Sequence, residues 1–61
     1  MNLKEILELL QKQKEDFFKQ LDMLEKYNSS MDEAQLRTSF DIIKQYQTNI
    51  EQLSQWLNKA L

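Results

Sequence analysis

The sequence predicts an all-α protein, an antiparallel hairpin of two helices, and three observations lead to this fold class. The 61 residues include no glycine and no proline, although hairpin turns rely on glycine and helix interiors exclude both residues. Apolar residues recur at alternating steps of three and four, which is the heptad pattern of packed helices. Residues that favour turns cluster only in KYNSSMDEAQL, from Lys26 to Leu36, so we expect a single reversal.

The first helix is predicted over residues 3–27. Leu7 and Leu21 take heptad position a, and the d positions are all apolar, namely Leu3, Leu10, Phe17 and Leu24. The opposite f positions are all charged, namely Glu5, Lys12, Lys19 and Lys26. One face of the helix is therefore apolar and the opposite face is exposed to solvent. Asn2 stands three residues before Glu5, which is the spacing of a helix N-cap.

A turn is predicted at residues 28–30. Ser30 and Glu33 have the spacing of a capping box, in which each side chain binds the backbone N–H of the other residue. Asn28 is expected to end the first helix in the left-handed conformation, because the chain has no glycine for that position. A loop this short favours antiparallel packing. The alternative is one continuous helix through this stretch, in an extended coiled coil.

The second helix is predicted over residues 31–60. Its a positions are all apolar, namely Leu36, Ile43, Ile50 and Leu57, and its d positions are Ser39, Tyr46, Leu53 and Ala60. Four more apolar residues flank this seam, namely Phe40, Ile42, Trp56 and Leu61. An apolar arc this wide usually contacts more than one neighbouring helix.

The hairpin is expected to need a partner. Two helices form one contact layer, and a chain of this length buries a small share of its surface. Folding about Ser29 pairs Leu7 with Ile50 and leaves the last turn and a half of the second helix uncovered. We therefore expect a single domain, residues 1–61, that completes a four-helix bundle by dimerisation or by packing on another protein.

The surface for self-association or partner binding is predicted on ten residues: Phe18, Phe40, Ile42, Ile43, Tyr46, Ile50, Leu53, Trp56, Leu57 and Leu61. Two interpretations of the Trp56 end stay open: the core of a homodimer, or a groove for an amphipathic helix of another protein. Lys14 occupies an a position, with Gln47 close to it in the alignment. Either the lysine stem packs while its ammonium reaches the rim, or the two residues form a polar layer that sets register.

The composition offers little for catalysis. Histidine and cysteine are absent and no glycine-rich loop exists, so we expect no catalytic, cofactor or metal site and no enzymatic activity. The acidic residues near Lys19 are typical of a solvated helix face. Charged residues interrupt residues 1–10, so we expect no signal peptide or membrane span and a cytoplasmic location.

Two functional hypotheses follow. The first is a protein–protein interaction module, acting as an adaptor, co-chaperone or inhibitor. The alternative is an RNA-binding hairpin dimer that uses Lys12, Lys19 and Lys26, although a net charge of −2 gives nucleic acid no overall attraction. In length, single turn and two amphipathic helices, the layout is similar in architecture to plasmid copy-number Rop-type hairpins and to the hairpin co-chaperones of bacterial type III secretion. The resemblance involves no shared motif and implies only a role in binding.

Overall fold

The computed structural model describes residues 2–61 and confirms the all-α helical hairpin. Helix α1 spans Leu3–Tyr27, helix α2 spans Glu33–Ala60, and a short 3₁₀ turn, Asn28–Ser30, joins them. The longest dimension between Cα atoms is 44 Å. One continuous helix of this length would extend about 90 Å at 1.5 Å per residue, so the alternative of a single long helix is wrong.

Helix α1 begins and ends at the predicted residues. Its N-cap is Asn2, whose Oδ1 accepts a hydrogen bond of 2.8 Å from the backbone N–H of Glu5. The Nδ2 of Asn2 also donates to the Glu5 carboxylate at 3.2 Å. The two side chains therefore satisfy part of the free end of the helix, as their spacing predicts.

The capping box of α2 is formed by Asp32 and Gln35, and the predicted box of Ser30 and Glu33 is wrong. Asp32 Oδ1 accepts from the Gln35 N–H at 2.9 Å, and Gln35 Oε1 accepts from the Asp32 N–H at 3.0 Å. Ser30 Oγ instead donates to the carbonyl oxygen of Tyr27 at 3.0 Å. A carboxylate suits the positive end of the helix dipole better than a hydroxyl does, so α2 begins two residues later than predicted.

The chain reverses without any left-handed residue. Asn28 has φ −57° and ψ −37°, which is right-handed helical, and no residue among 2–61 has a positive φ. Its Nδ2 donates to the carbonyl oxygen of Glu25 at 2.8 Å, while Met31 is extended at φ −91° and ψ 139°. The predicted left-handed role of Asn28 is therefore wrong, because the 3₁₀ turn and two extended residues, Met31 and Asp32, make the reversal.

The seam between the helices uses the predicted stripe of α2 and a different stripe of α1. Ile6 is 2% exposed and Leu53 is 7% exposed, and these two residues form the buried core. The other α1 side chains that lie half-buried are Leu9, Leu10, Gln13, Asp16, Phe17, Gln20 and Leu24. Leu7, Lys14 and Leu21, predicted at the a positions, are exposed. The α1 seam is therefore rotated by one residue, onto the stripe that begins with Ile6.

The register of the two helices also differs from the predicted one. Ile6 and Trp56 line one cleft, and Leu9 and Leu53 line the next. Because the helices are antiparallel, each residue forward along α1 is level with one residue back along α2. Leu7 is therefore about level with Gln55, which is about five residues from Ile50, its predicted partner. The two helices are 25 and 28 residues long. The expected long overhang of α2 is wrong, because the turn places Ile6 against its last turns.

Among residues 2–61, no helix carries an apolar stretch of the length that a membrane crossing requires.

Candidate interaction surface

The seam divides the hairpin into two long sides. On α1 the seam includes Ile6, Gln13 and Gln20, and on α2 it includes Tyr46 and Leu53. Successive residues of an α-helix project about 100° apart, since one turn takes 3.6 residues. The residue before a seam position and the residue after it therefore point to opposite sides of the hairpin.

One side is lined by polar residues from both helices. A cleft between the helices is bounded by seven residues: Lys12, Gln13, Asp16, Ile42, Gln45, Tyr46 and Asn49. The adjoining cleft adds Gln52 and Trp56. Lys12 on α1 and both Gln45 and Gln52 on α2 each precede a seam position, so preceding positions of the two helices share this side. We call it the polar side, defined by Lys12, Asp16, Gln45, Asn49 and Gln52.

The opposite side is apolar, and its members follow seam positions. On α1 Leu7 follows Ile6, Phe18 follows Phe17, and Leu21 follows Gln20; on α2 Phe40 follows Ser39. Leu3 lies one turn before Leu7. We call this surface the apolar side and define it by its large exposed residues, Leu3, Leu7, Phe18, Leu21 and Phe40, whose exposed fractions range from 37 to 56%.

The structure separates the ten residues of the predicted interface into different environments. Phe18 and Phe40 lie on the apolar side, whereas Ile42 and Trp56 line the clefts of the polar side. Leu53 is buried inside the hairpin, and four of the predicted residues lie half-buried along the seam, namely Ile43, Tyr46, Ile50 and Leu57. Leu61 is exposed. The predicted arc is therefore not one continuous surface.

The predicted bare end of α2 is not a separate patch. Trp56 lines a cleft together with Ile6, Lys59 and Ala60, and Leu57 is half-buried in the seam. The sequence interpretation also missed Leu3, Leu7 and Leu21 as surface residues. Gln13 and Gln20 continue the buried stripe that begins with Ile6. Because both are polar, this stripe is hard to recognise in the sequence, and Leu7 and Leu21 look like seam residues instead.

Lys14 and Gln47 do not meet inside the hairpin, because both are exposed. Each follows a seam position, so both lie on the apolar side. Lys14 lies one residue from the midpoint of α1, and Gln47 lies at the midpoint of α2. They lie halfway along the apolar side, and Glu25 and Asn58, which follow the seam residues Leu24 and Leu57, are further exposed polar residues nearer its ends.

A different pair of amides forms the polar layer within the hairpin. Gln13 and Asn49 line the same two clefts. The Oε1 atom of Gln13 is buried and accepts no hydrogen bond from residues 2–61. A buried acceptor without a donor lowers stability, so we expect Gln13 to destabilise the seam at this level.

The three lysines of the RNA hypothesis lie away from the apolar side. Lys12, Lys19 and Lys26 are exposed and seven residues apart, so they follow one stripe of α1, and Lys12 lines a polar-side cleft. The ion pair within residues 2–61 joins Arg37 to Glu33 at 3.4 Å. It is exposed and adds little to stability.

Nothing in the described part of the chain is arranged as a metal site: no three acidic side chains among residues 2–61 are grouped as a bound cation would require. No protein-family model matches the chain, and neither a curated protein nor a solved structure matches it.

Proposed function

We propose that this protein is a small, non-enzymatic protein–protein interaction module that works as an adaptor, co-chaperone or inhibitor through the apolar side of its hairpin. One observation carries the proposal: five large apolar side chains, each more than a third exposed, share that side. Monomeric proteins rarely leave an apolar patch of more than a few hundred Å² in water. Covering such a patch with another apolar surface is the main driving force for association.

The shape of the apolar side suits a helical partner. Exposed apolar side chains of α1 and Phe40 of α2 lie on the two helices of this side, and Ile43 and Ile50 lie half-buried in the seam beside them. An amphipathic helix can cover such a surface with its apolar face. Phe18 and Phe40 are the aromatic anchors of the two helices, and aromatic anchors contribute much of the energy of an interface.

We place this module in the cytoplasm. The chain has no cysteine, whereas small secreted domains commonly depend on disulfides for stability. The proposal involves neither a cofactor nor a membrane.

Site-specific photo-crosslinking tests the proposal. Benzoylphenylalanine replaces Phe18 or Phe40 in the cells that make the protein, and replaces Met23 as the matched control. Met23 is 50% exposed, and it precedes the seam residue Leu24, so it does not lie on the apolar side. We expect covalent protein adducts from positions 18 and 40 and few from position 23. Adducts from position 23 alone, or from none of the three, contradict the proposal.

RNA binding is the second candidate function, and one observation favours it. Lys12, Lys19 and Lys26 stay exposed when the apolar side is covered, because they lie on a different stripe of α1. A dimer would then present two such stripes to phosphates. Changing these three lysines to glutamine should abolish a gel shift with structured RNA at low salt, whereas changing Lys4, Arg37 and Lys59 to glutamine, which removes the same charge, should weaken it less. Absence of any shift with the unaltered protein rules this candidate out.

A further inference from the structure

We propose that the apolar side binds a second copy of this chain, and that the two copies pair with their turns at the same end of a four-helix bundle. This inference rests on the proposed function, because it names the partner of that same surface. The observation that carries it is the placement of Lys14 and Gln47, one on each helix, at about the same level halfway along the apolar side.

The size of the surface fits self-association. The molecule measures 44 × 15 × 12 Å between Cα atoms, so one long side covers roughly 660 Å², near the ~800 Å² per partner of a standard interface. In a two-fold dimer the same patch is used twice. The apolar side therefore has enough area to hold a hairpin of its own length.

Two symmetric arrangements bring the apolar sides face to face. If the turns lie at opposite ends, α1 lies antiparallel against α1 of the partner copy. Lys14, next to the helix midpoint, then comes close to Lys14 of the partner copy. Two ammonium groups of like charge would lose water at the same place, which opposes association.

With the turns at the same end, α1 lies against α2 of the partner copy. Residues at one level then stay at one level, and Lys14 comes beside Gln47 of the partner copy. The ammonium can donate to the amide Oε1, which is a charge-assisted hydrogen bond. The symmetry makes this contact twice, so Lys14 and Gln47 of each copy gain a partner.

Charges at the outer edge of the apolar side agree with this arrangement. Asp22 follows Leu21 on α1 and so lies one residue beyond the apolar side, whereas Lys44 follows the seam residue Ile43 on α2 and lies at the edge of that side. Because Lys44 is about level with Phe18, it lies between Glu15 and Asp22 of the partner copy when the turns share an end. With the turns at opposite ends, Glu15 would instead approach Glu15 of the partner copy, where like charges repel.

A distance measurement between the turns tests the arrangement. The chain has no cysteine, so Ser29→Cys gives one nitroxide label per copy on the full chain. Sedimentation equilibrium should show a dimer of twice the 7.4 kDa chain mass. Pulsed electron paramagnetic resonance should place the two labels less than about 25 Å apart, since neighbouring helix axes are 8–10 Å apart.

Two outcomes overturn the inference. A dimer whose labels lie near the 44 Å length of the hairpin has its turns at opposite ends. A chain that stays helical and monomeric up to near-millimolar concentration does not pair with itself through the apolar side. Neither outcome removes the proposed function, which fails separately if positions 18 and 40 give no crosslinks.

A charge substitution gives a second test. Gln47→Glu should tighten the dimer about 5- to 20-fold, because each Lys14 would gain a carboxylate partner instead of an amide. Gln45→Glu is the matched control, since it adds the same charge on the polar side, and it should change the dissociation constant by less than about twofold. A weaker dimer with Gln47→Glu would show that the two introduced carboxylates face each other, and the inference would be wrong.

Discussion

The two sides of the hairpin have the same length and the same two helices, yet more of the large exposed apolar side chains lie on one side than on the other. The polar side presents charged and amide side chains at the mouths of its clefts, such as Lys12, Asp16 and Asn49. The apolar side presents leucine and phenylalanine, interrupted halfway by Lys14 and Gln47. Because a two-helix seam can cover only one stripe of each helix, the second apolar stripe of α1 stays exposed in the hairpin.

The largest effect should distinguish the seam from the apolar side, at two adjacent residues. Ile6→Ala should lower the free energy of unfolding by about 2–5 kcal/mol, because it opens a cavity in the core. Leu7→Ala should lower it by less than about 1 kcal/mol, since half of that side chain is already in water. Urea denaturation at a concentration where the chain is monomeric measures both. Equal losses would mean that the seam of α1 is assigned to the wrong stripe.

The next effect concerns the polar layer inside the hairpin and should be stabilising. Gln13→Leu removes a buried acceptor that has no donor among residues 2–61 and adds apolar contact. We expect the free energy of unfolding to rise by about 1 kcal/mol. Gln11→Leu, at an exposed position of α1, is the control and should give no such gain in thermal or urea unfolding. A loss of stability with Gln13→Leu would contradict this account of the seam.

A weaker cap at the turn should lower the stability of the whole hairpin without changing either of its two sides. Asp32→Ala removes the side chain that accepts from the Gln35 N–H, and it should lower the free energy of unfolding by about 1 kcal/mol. The sequence spacing predicts Ser30 as the cap, but Ser30→Ala should lower the free energy of unfolding by less than Asp32→Ala does. Dissociation of the folded dimer should not change with Asp32→Ala, because the cap lies outside the apolar side. A larger loss with Ser30→Ala would restore the predicted capping box.

The smallest expected effect is on the single tryptophan. Trp56 is 38% exposed and lines the clefts of the polar side together with Ile6 and Leu9. Acrylamide quenching of its fluorescence should therefore stay the same when the apolar side is covered by association. Strong protection of Trp56 at concentrations where the chain associates would mean that the polar side is the interface.

Much of the secondary structure follows from the sequence. The bounds of α1 are predicted because Asn2 is a good N-cap and because the apolar pattern ends near Tyr27. The seam of α2 is predicted because its heptad positions are nearly all apolar. The pattern of α1 supports two overlapping stripes, one through Leu7 and Leu21 and one through Ile6 and Phe17. Periodicity alone cannot choose between stripes about 100° apart.

The candidate surface was harder to predict for the same reason. Phe18 and Phe40 are recognisable as surplus apolar residues, but their membership of one side depends on the seam that the helices choose. A start of α2 at residue 31 predicts that the end of α2 near Trp56 is uncovered by α1. A start at Glu33 changes the pairing of every level along the hairpin.

Composition and spacing alone predict that the chain is helical, that it reverses once, and that it has more apolar surface than one helix pair can bury. These properties are local, since they depend on composition, spacing and caps within a few residues. The packing of the two helices determines which stripe of α1 is buried and which level of α2 it meets. The same packing places Lys14 and Gln47 on one side with Phe18 and Phe40. Those choices depend on how two whole surfaces fit together, and a small change in the turn rotates and shifts all of the contacts at once.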